Sequence, residues 1–140
     1  MATFNLHKYA TGKPKGTLMS RAADGVVLMG ALVKQGTNAI DAKETAANSD
    51  IVIGVAIYDE ATAFTNSADQ YADDDPMVVE SLVNGMVLNL LNSGTASIAA
   101  GARVEAAADG KIAAGSTYPI GIAEETISGS SRGAVIIQVK

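Results

Sequence analysis

The chain has 140 residues, enough for one domain with its own core, and no Cys, so neither a disulfide framework nor a thiolate metal site is available to it. Acidic residues outnumber Lys and Arg by 15 to 10, and the net charge of −5 argues against wrapping a polyanion such as DNA. There is no run of eighteen apolar residues to span a membrane, and the N-terminus lacks the continuous apolar segment of a secretory signal.

The bases are unevenly spread. Lys8, Lys13, Lys15 and Arg21 all precede the first acid, Asp24. A basic arm on an acidic body suits docking onto an acidic partner surface, and a terminus that needs solvating charge explains the same layout. Residues 1–16, with Gly12, Pro14 and Gly16 among the lysines, read as an extended arm, and 17–140 as a single β domain. Gly12-Lys13 is not a phosphate-binding loop. Pro14 stands where Ser or Thr is needed, and no Gly lies five residues upstream.

Thr17–Ser20 reads as a short strand closed by the turn Asp24-Gly25. Val26–Met29 runs into Gly30–Lys34, and Gly30 inside this apolar run predicts a bulge or sharp bend. Gln35–Asp50 is polar and Ala-rich, with one or two helical turns expected over Ala42–Asn48. Ile51–Tyr58 is the strongest strand. Alternation puts Ile51, Ile53, Val55 and Ile57 on a bulky face, predicted to be core. The other face, with Gly54 and Ala56, is nearly bare and lets a neighbouring layer pack close. Asp59–Pro76 is a long polar excursion with room for a helix near Ala61–Tyr71. Met77–Val83 and Met86–Leu91 flank Asn84-Gly85, which predicts a hairpin with a type I′ turn. Asp109-Gly110 predicts a second hairpin between Ala102–Ala106 and Lys111–Ala113. Tyr118–Glu124 pairs next, and Ala134–Val139 closes the chain as a strand.

Part of this order repeats. Gly30-Ala-Leu-Val33 returns as Gly101-Ala-Arg-Val104, and the Gly54-x-Ala56 strand returns as Gly121-x-Ala123, at offsets of 71 and 67. Residues 30–60 and 101–125 thus read as a pseudo-repeat, which predicts a barrel or sandwich rather than a solenoid of three or more units. Gly30, Gly54, Gly85, Gly101 and Gly121 are assigned structural roles.

Chemistry is sparse. His7 is the only histidine and lies in the arm, which removes a Ser-His-Asp triad and a multi-His metal site from the body. Asp73-Asp-Asp75 lacks the alternating spacing and the Gly of a calcium loop and reads as a solvated acidic loop. Asp59/Glu60 and Glu124/Glu125 each follow a repeat strand. Neighbouring strand residues point to opposite faces, so neither pair alone aims two carboxylates at one substrate, although Glu60 and Glu125 could meet across the pseudo-symmetry. No catalytic residue, metal ligand or cofactor site is assigned.

From Gly25 to Val139 the motifs Gly-x-x-Val, Ile-Gly-Val-Ala, Gly85, Gly101-Ala-Arg-Val, Asp109-Gly110, Pro119-Ile-Gly-Ile-Ala-Glu and a Val-rich final strand follow in order. This order resembles the capsid decoration, or cement, proteins of tailed phages and related viruses. The resemblance implies an all-β fold, a compact small barrel or sandwich, β-tulip or SH3-like; this chain adds an extended N-terminal arm and, in Asp59–Pro76, a polar loop with room for a short helix that is longer than in the family's shorter versions. It implies a structural, non-enzymatic protein, made in the host cytoplasm, that binds the exterior of an icosahedral capsid and stabilises it. The implied partners are the major capsid protein and further copies of the chain, a trimer being favoured, with no direct contact to nucleic acid or membrane. The arm, through His7, Lys8, Tyr9, Lys13 and Lys15, is the candidate capsid contact. A tail-tube or fibre domain, or a small ligand-binding β-barrel, are the alternatives.

Overall fold

The computed structural model describes residues 6–8, 12–57 and 70–139. Its strands are β1 Leu18–Ala23, β2 Val27–Leu28, β3 Leu32–Gln35, β4 Asp41–Glu44, β5 Gly54–Ile57, β6 Gln70–Tyr71, β7 Pro76–Glu80, β8 Val87–Leu91, β9 Arg103–Ala106, β10 Ile112–Ala114, β11 Pro119–Ala123 and β12 Arg132–Ile137. No α-helix occurs among the described residues, so the fold is all-β. Strands β1, β4, β3, β5 and β7 close a barrel, and β10, β9, β11, β12 and β8 form a second five-stranded sheet. A parallel bridge, Asn92↔Ile112, draws the ends of that second sheet together.

The two halves repeat one plan bond for bond. Gly30 N donates to Ala56 O at 2.7 Å, and Gly101 N to Ala123 O at 2.8 Å. Ala56 N donates to Ala31 O and Ala123 N to Ala102 O, both at 2.9 Å. The register Val33↔Gly54 recurs as Val104↔Gly121. The parallel pair Ala23↔Ala42 that helps close the barrel recurs as Asn92↔Ile112. Gly30 and Gly101 both need the left-handed region, at φ 83° and 84°, because each turns the chain into its strand. A Cβ at Gly54 would lie 2.4 Å from Glu80 O, and one at Gly121 would lie 2.4 Å from Ile136 O. The bare positions are therefore where one strand meets its neighbour's backbone.

Two apolar clusters fill the molecule. The barrel interior holds Ala23, Val27, Val33, Ala42, Ala56, Met77 and Val79 around Tyr71, which is fully buried. Its hydroxyl donates to Ile57 O at 2.5 Å, so the ring is buried without an orphaned polar tip. The larger cluster joins the interior of the second sheet, including Leu88, Leu90, Val104 and Val135, to Leu32 and Val55 from the outer face of the barrel. Arg132 ties the halves further. Its guanidinium donates to Asn89 O and Met29 O at 3.2 and 3.3 Å, and burial pushes its pKa down to about 10.

Several local expectations need correction. Asn84-Gly85 turns the chain but makes no hairpin, since β7 belongs to the barrel and β8 to the second sheet. Gly85 has φ 90° while Asn84 is not in the positive-φ region. A type I′ turn needs both residues there, so this turn carries the chain from one sheet to the other instead of folding a strand back on itself. Asp109 and Gly110 do both have positive φ, 59° and 68°, and β9 and β10 pair across them. Residues Ala42–Glu44, read as helical, belong to strand β4. Ala42 is fully buried and pairs with both Ala23 and Gln35, so tertiary pairing overrides alanine's helix preference. The bulky face of Ile51–Tyr58 is not all core. Ile51 is 83% exposed, and of its four branched residues Val55 alone is fully buried. The strand starts only at Gly54, so alternation does not extend back to Ile51. Gln70–Tyr71, the end of the expected helix, is strand β6 paired with β2. The rest of that excursion, with Tyr58, Asp59 and Glu60, lies outside the described residues.

Candidate functional site

The arm is the first candidate. Tyr9 lies outside the described residues. Leu6 is buried in the larger cluster, Asn89 N donates to Leu6 O at 2.7 Å, and Lys8 N donates to Val87 O at 3.0 Å. Residues 6–8 therefore run along β8. His7 Nε2 sits 2.8 Å from Glu80 Oε1, and the other carboxylate oxygen, Oε2, accepts from Gly16 N at 2.8 Å. Glu80 is 3% exposed, so these contacts match a buried charge with a ring nitrogen and a backbone donor. The arm is thus bound at both His7 and Gly16 by one buried carboxylate. Lys13 and Lys15, between those anchors, stand exposed on the surface.

The acidic residues have local duties. Asp73 Oδ1 accepts from Gly25 N at 2.8 Å, and Asp75 Oδ2 accepts from Ala72 N at 2.9 Å. Asp24 accepts from the backbone and the hydroxyl of Thr37, and these bonds hold its carboxyl below the usual range. Asp50 accepts from Ala46 N and Ala47 N and lies 3.0 Å from Lys34 Nζ. The backbone bonds and Lys34 bring its pKa down to about 2 despite some desolvation. Glu44 shifts the other way: burial raises its pKa against a bond from Leu28 N. Among the described residues, no three His, Asp or Glu side chains group as metal ligands would. Glu125 Oε2 lies 4.0 Å from Lys8 Nζ; its conceivable partner across the pseudo-symmetry, Glu60, lies outside the described residues.

An open groove of about 940 Å³ is a further candidate among the described residues. Ile122 and Ile136 form part of its lining on the outer face of the second sheet, with Arg103 and Tyr118 beside them and Val52 facing from the barrel half. Tyr118 is 52% exposed. The lining is about as polar as apolar, with Asp50, Arg103 and Gln138 beside the isoleucines. The sequence does not single out Ile122, because the outward row of a strand says nothing about whether another layer covers it.

The family model for the structural cement protein (E217 gp24/Pam3 gp6) matches residues 7–140. No curated protein sequence matches the chain. Among solved structures the chain is similar to the N base of the head fibre gp8.5 of bacteriophage phi29, with 17% identity and a TM-score of 0.66 over 87% of this chain and 93% of that one. At that identity the likeness concerns the fold.

Proposed function

The chain belongs to the structural cement protein family of phages, and from that membership we propose that it binds the outer surface of an icosahedral capsid through contacts to the major capsid protein. Its role is structural: a virion protein that stabilises the capsid. The observation that carries this reading is the span of the match, which takes in the arm from His7 and both β halves to the end of the chain. We read the protein as non-enzymatic, made in the host cytoplasm and assembled as a homo-oligomer, with a trimer favoured. Repetition over a lattice lets many weak contacts act together, so no single deep site is required.

Lys13 and Lys15 are proposed as the arm's capsid contacts. His7 faces Glu80 of its own chain and so anchors the arm that carries them. Deleting residues 1–16 would also remove Leu6 from the core, so charge reversal is the cleaner probe. Lys13→Glu/Lys15→Glu protein should co-sediment with capsids less than wild type, and the difference should shrink as salt rises. Equal binding at low salt would remove the arm from the contact.

A further inference from the structure

We propose that the open groove on the second sheet is a self-association surface that receives the barrel half of a second copy of this chain. The internal repeat carries the argument. In the barrel, Leu32 pairs with Val55 and Val55 with Glu80, across β3, β5 and β7. In the second sheet the same row is Arg103, Ile122 and Ile136, across β9, β11 and β12. Leu32 and Val55 are fully buried and Glu80 nearly so, because the C-terminal half and the arm cover that row. Its counterpart is uncovered. Arg103 is exposed, Ile122 and Ile136 are half-buried, and all three line the groove.

The cover within the chain shows what the missing cover would be. The loop between β9 and β10 reaches over the barrel, where Gly110 N donates to Thr45 O at 3.2 Å and Thr45 Oγ1 donates to Ala107 O at 2.8 Å. A Cβ on Gly110 would lie 2.5 Å from Ala31 Cβ. The matching acceptor site on the second sheet is Ala102–Arg103 with Gly115. Gly115 N donates to Arg103 O as Thr45 N donates to Leu32 O, both at 3.0 Å. The loop that matches 107–110 is Gly36–Ile40 of the barrel, where Gly36 N bonds Asp41 O as Ala107 N bonds Lys111 O. That loop presents Ile40 at 65% exposure, an apolar side chain available to a contact. Asp24 and Asp41 flank it, opposite in charge to Arg103 at the groove. The contact is heterologous: the Gly36–Ile40 loop of one copy sits on the Ala102–Arg103 end of the groove in the next.

This deepens the homo-oligomer reading and rests on it, but not on capsid binding. The natural chain has no Cys, so two single variants, Ile40→Cys and Ala102→Cys, report on the contact directly. Mixed under mild oxidation, they should form a disulfide-linked dimer that neither variant forms alone. Ile122→Glu, and Arg103→Glu at an exposed position should Ile122→Glu fail to fold, should weaken self-association at least tenfold in sedimentation equilibrium while the circular dichroism stays native. A wild-type chain that remains monomeric at high concentration overturns both the homo-oligomer reading and this surface. Oligomers unchanged in the groove variants, or self-linking of one cysteine variant with no gain on mixing, overturn the surface alone. Groove variants that stay oligomeric but lose capsid binding would assign the groove to the capsid protein and overturn the proposal.

Discussion

Replacing Gly54 or Gly121 by Ala tests the close-packing account at two matched sites. Neither glycine has positive φ, so the backbone alone would accept Ala. Conformational entropy then favours the substitution by roughly 0.4–1 kcal/mol. Packing opposes it. The new methyl carbon would sit 2.4 Å from Glu80 O and 2.7 Å from Val79 Cγ1 at position 54, and 2.4 Å from Ile136 O and 2.9 Å from Val135 Cγ1 at position 121. Ordinary contact begins at 3.4 Å, so a paired strand must retreat by about 1 Å, and it is held by its own ladder bonds. Overpacking of this kind costs about 1–3 kcal/mol. The net loss is about 0–2.6 kcal/mol. With an unfolding entropy near 2.1 cal/mol/K per residue, that lowers Tm by up to roughly 9 °C for a chain of this length. Differential scanning calorimetry of the two variants and wild type reads it directly. A Gly54→Ala protein that melts above wild type would refute the reasoning, because entropy alone predicts that sign.

Three further outcomes follow from single groups. Asn92 is 2% exposed; its amide donates to Ala96 O, Ile127 O and Ser128 O, and its Oδ1 accepts from Gly94 N. Asn92→Ala should therefore cost about 2–3 kcal/mol in urea unfolding and speed amide exchange over residues 93–97 and 127–131. Glu80→Gln weakens the bond to His7 and should make the arm more open to limited proteolysis near Lys13 and Lys15, with the β body intact. For Asp50, the folded pKa of about 2 lies below the ordinary value of 3.8. Its stabilising contribution is therefore complete above about pH 4 and fades as pH falls toward 2. Asp50→Asn should be less stable than wild type at neutral pH, by about 1 kcal/mol, and the two should converge near pH 2 in acid titrations followed by circular dichroism.

Features that depend on local chemistry were legible in the sequence. Asp109-Gly110 announced a turn with two positive-φ residues, and the spacing of Gly30, Gly54, Gly101 and Gly121 announced two copies of one packing device. Features set by distant partners were not. Asn84-Gly85 looked the same as Asp109-Gly110 on paper, but whether flanking strands pair depends on which sheet each joins. Ala42 looked helical because its burial depends on pairing with β1, three elements earlier, as well as with β3. The arm's anchorage rests on Glu80, 73 residues beyond His7. The groove escaped notice for a related reason: Ile122 has the same strand context as Val55, and only the three-dimensional cover distinguishes them.

The central claim is capsid stabilisation, and the most direct test is the heat-induced release of packaged DNA from capsids of the phage that encodes this chain. Particles stripped of the protein should release their DNA several degrees lower than native ones, and adding back the purified protein should restore the native temperature at a saturating, fixed ratio of copies per capsid. Saturable binding with no change in the release temperature, or no binding at all, would contradict the account.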